Sequence, residues 1–178
     1  EEHPSRAHRS SRNTEIYRVS NVDEAGNIIH QKETAWQYIN LSWLWHTDSS
    51  FREIPSKGSI LHGIQTTNKG GHTRYANMYA AYEEISDVMK EFLGSLKAEH
   101  NAEDLVKEVP SRVKVTEVPP GVIHPVVRTH PGSGRKALFV NPYYTSHFIG
   151  MTPEESRPIL EYLYDRATRH EKIYRHSW

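Results

Sequence analysis

The sequence predicts a mainly β fold with flanking helices, an antiparallel barrel or jelly roll, and three observations carry that expectation. Short runs of β-branched, aromatic and alternating residues recur along the 178-residue chain. Glycine- and proline-containing turns separate them, and two stretches of helical period accompany them. No glycine-rich phosphate loop is present, which argues against a parallel nucleotide-binding sheet.

The elements follow in chain order. Residues 1–14 are polar and basic, with Arg6, His8, Arg9 and Arg12, and bury too little apolar area to offset ordering entropy; a polar tail is expected there, ahead of one domain over 15–178. Ile16 to Ser20 alternates as a short strand, and Asp23 to Asn27 carries turn chemistry before Ile28 and Ile29, so a hairpin is expected. Ile60, Leu61, Gly63 and Ile64 with Thr66 and Thr67 predict a strand over 59–67. Asn68-Lys69-Gly70-Gly71 then predicts a turn into a second strand from His72 to Asn77. Ser86 can cap a helix whose apolar positions Val88, Met89, Phe92, Leu93 and Leu96 recur at helical spacing, with Lys97 near its end. Strands are expected at Val113 to Val118, at Val126 to Thr129 and, after the Gly132-Ser133-Gly134 turn, at Ala137 to Val140. Thr152-Pro153-Glu154-Glu155 is a capping box with proline at the first helical position, followed by Ile159, Leu160, Leu163, Tyr164 and Ala167 on one face. Pro158 removes one hydrogen bond inside that helix and is expected to kink it or delay its start.

Composition excludes several functions. Lys+Arg and Asp+Glu both number 22, so no net field recruits nucleic acid or an anionic membrane. The chain has no cysteine, which removes disulfides, thiolate zinc sites and cysteine nucleophiles together and leaves histidine and carboxylates as the strong metal ligands. No apolar run reaches the length of a membrane span, and a cytoplasmic protein is expected.

One short motif carries chemistry. Trp45-His46-Thr47-Asp48 follows an apolar-aromatic run of Ile39, Leu41, Trp43 and Leu44 and precedes Ser49-Ser50. On extended backbone, residues two apart point to the same side, so the His46 imidazole and the Asp48 carboxylate can converge. Such a pair supplies two corners of a 2-His-1-carboxylate site, which holds Fe(II) with positions left open. Among 12 histidines an H-x-D pair alone is weak, and a surface turn capped by Asp48 is the competing reading. His62, on the expected 59–67 strand, His72, His124 and His130 read as structural histidines rather than ligands. Trp43, Trp45 and Phe51 read as core packing or as a dry wall of the site, and Arg128 as the partner of a surface carboxylate in preference to a residue facing the site.

Read in order, Trp45-His46-Thr47-Asp48-Ser49-Ser50-Phe51, Gly70-Gly71-His72-Thr73, Ala80-Ala81-Tyr82-Glu83, His124-Pro125-Val126-Val127-Arg128-Thr129-His130-Pro131 and Gly134-Arg135-Lys136-Ala137-Leu138-Phe139-Val140 resemble one family. It is the Fe(II)/2-oxoglutarate-dependent dioxygenases related to taurine dioxygenase and 2,4-dichlorophenoxyacetate dioxygenase, and the resemblance covers residues 14–178. It implies a double-stranded β-helix, incomplete at the C-terminus. It also implies hydroxylation of a small anionic substrate, phenoxyalkanoate- or sulfonate-like, coupled to conversion of 2-oxoglutarate and O2 to succinate and CO2. His46 and Asp48 match the first two iron ligands, and Thr73 matches the threonine that binds the 2-oxoglutarate carboxylate. His72 stands where the family often carries an acid. The wording around His46 is closer to the phenoxyacetate branch.

The third iron ligand, a histidine, and the arginine that pairs with 2-oxoglutarate are expected beyond Trp178, so the chain reads as a fragment whose isolated activity is in doubt. Expected partners are the small-molecule substrate and further copies of the chain, with no nucleic acid and no membrane. A non-catalytic jelly-roll binding module, an inactive fragment and a zinc hydrolase with the same ligands are the alternatives.

Overall fold

The computed structural model describes residues 16, 19–23, 25–30, 43–102 and 120–178. It divides into two compact units, one of residues 1–44 and 107–115, the other of residues 45–106 and 116–178. In the first, the expected reversal at Asp23 to Asn27 is present. The Asp23 carboxylate accepts from the Asn27 N–H at 2.8 Å, Gly26 takes φ +90°, and a single antiparallel bridge joins Val22 to Ile28. The tail at 1–14, Tyr17 and Arg18 within the expected 16–20 strand, and the expected strand at 113–118 lie outside the described residues.

The second unit holds seven short strands and three α-helices among the described residues: β1 (Thr73–Ala76), α1 (Met78–Glu83), α2 (Asp87–Gly94), β2 (Lys97–His100), β3 (Val122–Pro125), β4 (Val127–Thr129), β5 (Lys136–Leu138), β6 (Thr145–Phe148), α3 (Pro153–Ala167) and β7 (Ile173–His176). A mainly β architecture with few helices is therefore borne out. The strands form three small antiparallel sheets: β3-β2-β6 with β2 central, the hairpin β4-β5, and β1 paired with β7. Ala81, Leu93, Ala98, Val126, Phe148 and Leu163, all fully buried, centre the core between these sheets and the helices.

Local signals mostly hold. Ser86 caps α2 by accepting from the Met89 N–H at 3.2 Å, and Thr152 and Glu155 close both halves of the capping box of α3. Removing that box by Thr152→Ala lowers stability by about 1 kcal/mol, read as a shift in the urea midpoint. Two helix expectations need correction. Helix α2 ends at Gly94, so Leu96 packs on the core from the connection and Lys97 opens β2. Helix α3 runs unbroken through Pro158, because the carbonyl that Pro158 leaves unpaired is that of Glu154, an exposed first-turn residue that water can satisfy. The buried face of Ser156, Leu160, Leu163 and Ala167 holds the helix straight across that point.

The expected strand at 59–67 does not form, and the hairpin it would have made with β1 is absent. Ile60 and Ile64 are 98% and 92% exposed, and His62 is exposed as well. Gly70 and Gly71 do adopt left-handed φ of +79° and +65°, so the turn chemistry is real. The partner of β1 is instead β7, in register from Thr73 opposite His176 to Ala76 opposite Ile173. Alternation makes a segment competent to pair, but a strand forms only where a neighbour satisfies its backbone.

Candidate functional site

His46 lies just before a double turn that Asp48 opens, in which the Ser50 N–H reaches the Thr47 carbonyl at 3.2 Å and the Arg52 N–H reaches the Ser49 carbonyl at 3.0 Å. Ser49, at φ +58°, is the one described non-glycine residue with positive φ. This turn swings the Asp48 side chain back, so His46 Nε2 and Asp48 Oδ1 meet at 3.3 Å. The Ser59 hydroxyl donates to Asp48 Oδ2, so each carboxylate oxygen has its own partner. The hydrogen bond with His46 holds the Asp48 carboxyl below its usual range. Partial burial opposes that shift, and the Ser59 bond reinforces it.

The surroundings of His46 are aromatic. Its ring lies 5.3 Å from that of Tyr143, and it borders a cavity of about 160 Å³ with Trp45, Arg74, Asn141, Tyr164 and Thr168. The Arg74 guanidinium sits 5.2 Å from the Trp45 ring centre. Phe51 packs on Tyr144 at 4.9 Å, whereas Trp43 is 74% exposed.

Thr73 opens β1, one residue before Arg74. Its hydroxyl accepts a hydrogen bond from Trp178 Nε1 at 3.0 Å and bonds neither His46 nor Asp48. The remaining histidines behave structurally. His72 pairs with the Ser177 hydroxyl at 3.0 Å, His124 Nε2 lies 2.9 Å from the Arg52 carbonyl, and His130 Nδ1 accepts from the N–H groups of Gly132 and Ser133. Arg128 meets the Phe139 ring at 4.8 Å rather than the surface carboxylate expected for it. Among the described residues no third His, Cys, Asp or Glu joins His46 and Asp48 in a metal-binding group.

The profile described as "Taurine catabolism dioxygenase TauD, TfdA family" matches residues 1–178. The chain belongs to the TauD/TfdA family. Within this family it is 34% identical over 169 residues to the alpha-ketoglutarate-dependent 2,4-dichlorophenoxyacetate dioxygenase of Cupriavidus pinatubonensis, a match covering 92% of the chain and 58% of that enzyme. The crystal structure of AAD-2 in complex with Mn(II) and N-oxalylglycine superposes with a TM-score of 0.75 at 28% identity, over 90% of this chain and 60% of that one. A taurine dioxygenase from Burkholderia xenovorans superposes with a TM-score of 0.64 at 34% identity, over 75% of this chain and 43% of that one. The chain thus spans a little over half the length of the curated relative it matches. Among the described residues no helix is long and apolar enough to cross a membrane.

Sequence reasoning missed three residues around the pair: Ser50, Asn141 and Tyr143. An Asn-Pro dipeptide at 141–142 signals a turn. Nothing local signals what that turn touches.

Proposed function

We propose that the protein is an Fe(II)- and 2-oxoglutarate-dependent dioxygenase built on a double-stranded β-helix, with His46 and Asp48 as two iron ligands and Thr73 as a 2-oxoglutarate contact. The observation that carries this reading is the 3.3 Å approach of an imidazole nitrogen and a carboxylate oxygen in a chain of this family. The donor set fits. Metal bonds of about 2 Å place two neighbouring donors roughly 3 Å apart, and nitrogen with carboxylate oxygen suits ferrous iron. The third donor comes from outside the described residues.

Bound there, Fe(II) supplies the redox chemistry that couples O2 reduction and 2-oxoglutarate decarboxylation to substrate hydroxylation, with succinate and CO2 released. The chain's own residues prepare that chemistry. Ser59 occupies Asp48 Oδ2 and leaves Oδ1, the oxygen facing His46, as the donor. Asp48, like any carboxylate, is ionised at neutral pH, and its hydrogen bond with His46 extends that ionisation to lower pH. Thr73, already accepting from Trp178, retains its own hydroxyl proton to donate to a 2-oxoglutarate carboxylate. Tyr143 and Trp45 form an aromatic flank beside His46.

The substrate is a small organic molecule bearing an anionic group, a reading supported by relatives named for 2,4-dichlorophenoxyacetate and taurine. Protein expressed from the full coding sequence is expected to form succinate from 2-oxoglutarate with Fe(II) and O2, at a rate raised by a phenoxyalkanoate or an alkylsulfonate. Fe(II) binding without succinate formation points to a zinc-type hydrolase, and absence of metal binding to a non-catalytic module. Thr73→Ala is expected to weaken 2-oxoglutarate binding by about 1.5 to 3 kcal/mol, the worth of one hydrogen bond to a charged group. Isothermal titration measures it, and an unchanged affinity removes Thr73 from the site.

A further inference from the structure

The double turn that folds Asp48 back onto His46 is held from beneath by a residue more than ninety positions away. Asn141 is 5% exposed, and every polar group it carries is engaged. Its Oδ1 accepts from the N–H groups of Tyr143 and Tyr144 at 3.2 and 2.8 Å, and its N–H donates to the Thr145 hydroxyl at 2.9 Å. Its carbonyl accepts from the Tyr164 hydroxyl on α3 at 3.2 Å. The remaining group, Nδ2, donates to the hydroxyl of Ser50 at 3.2 Å. Ser50 is fully buried and closes the turn that contains Asp48 and the left-handed Ser49.

A serine at positive φ persists only where its surroundings over-determine it. The contacts that do so here are the Ser56 hydroxyl on that of Ser49 at 3.0 Å and, from the 141–145 turn and β3, Asn141 on Ser50, Tyr143 on the His46 ring, Tyr144 on Phe51, and His124 on the Arg52 carbonyl. Of these, the Asn141 bond alone joins two side chains that are both buried and polar. Breaking it leaves an unpaired buried group directly beneath the turn.

We infer that Asn141, through Ser50, is the positioning residue that sets the convergence of His46 and Asp48 for metal binding. It touches neither metal nor substrate; it fixes the backbone from which both donors project, as outer contacts of metal ligands do elsewhere. This inference rests on the metal-centre reading, and the test separates the two.

Mn(II) is titrated into metal-free protein, expressed from the full coding sequence, and free ion is read by electron paramagnetic resonance. The proteins are wild type, Asn141→Ala, Ser50→Ala, the double variant, and Leu163→Ala as a core variant matched for loss of melting temperature. Ser50→Ala removes the bridge while leaving the other bonds of Asn141 in place, which guards against a variant that fails to fold. Asn141→Ala and Ser50→Ala are each expected to weaken Mn(II) binding about 10- to 100-fold. The double variant is expected to lose no more than Asn141→Ala alone, because the bond that Ser50→Ala removes is already gone there. Leu163→Ala binds as wild type does. Wild-type affinity in both single variants, or an equal loss in Leu163→Ala, overturns the positioning role while leaving the metal centre standing. Failure of the wild type to bind Mn(II) overturns the metal centre, and this inference with it.

Discussion

In His46→Ala and Asp48→Ala proteins, succinate formation from 2-oxoglutarate is expected to fall to the level of a protein-free control. On the proposed assignment each substitution removes one of the two iron donors, and a facial site with a corner missing no longer holds iron in the geometry that orients 2-oxoglutarate and O2. Stability should barely change. The Asp48 side chain is 54% exposed and that of His46 27% exposed, and neither belongs to the core cluster. Replacements at such positions usually stay within roughly 0.5 kcal/mol. Asp48→Ala additionally frees the Ser59 hydroxyl, which water can satisfy because that bond lies at the surface. Circular dichroism and the urea midpoint report the fold, while succinate release reports the chemistry. Retained succinate formation in either variant contradicts the ligand assignment.

Acid is expected to destabilise the protein through His100. This residue sits in the central strand β2, fully buried, with the Phe139 backbone as the one hydrogen-bond partner of its ring among the described residues. Its ring stacks on Phe139 at 5.4 Å and meets His124 edge-on at 5.3 Å. Burial, followed by the neighbouring His124, lowers its pKa from 6.5 to about 4. The unfolded chain therefore takes up a proton near pH 6.5, which the folded protein refuses until near pH 4. Stability falls as pH drops through that window and is unaffected by this group above it. A difference of this size amounts to about 3 kcal/mol at the acid end. Burial lowers the His124 pKa too, with the same sign. In His100→Phe the difference between urea midpoints at pH 7 and pH 4.5 should shrink markedly. An undiminished difference would place the acid sensitivity elsewhere.

The two histidines illustrate how unevenly the sequence speaks. His46 was legible because its neighbour at i+2 is a carboxylate, and that spacing is a statement about local backbone. His100 carries no such mark. It follows Ala98 and Glu99 in a run with little strand character, and its burial comes from being hydrogen-bonded between β3 and β6 and covered by Phe139. Helix α3 was legible for the same local reason as His46: the capping box lies within four consecutive residues. Segment 59–67 misled for the converse reason, since its alternation promised a strand and no neighbouring strand pairs with it.

By itself the sequence determined the caps, the turns at 23–27, 68–71 and 132–134, and the family to which His46, Asp48 and Thr73 point. Those are energies settled within a few residues, or motifs whose order survives along the chain. Tertiary structure alone decided that β1 pairs with β7, that Ser50 rests on Asn141 across 91 residues, and that His100 is sealed from water. Distant segments compete for one another's edges and buried polar groups, and only packing of the whole unit selects the winners.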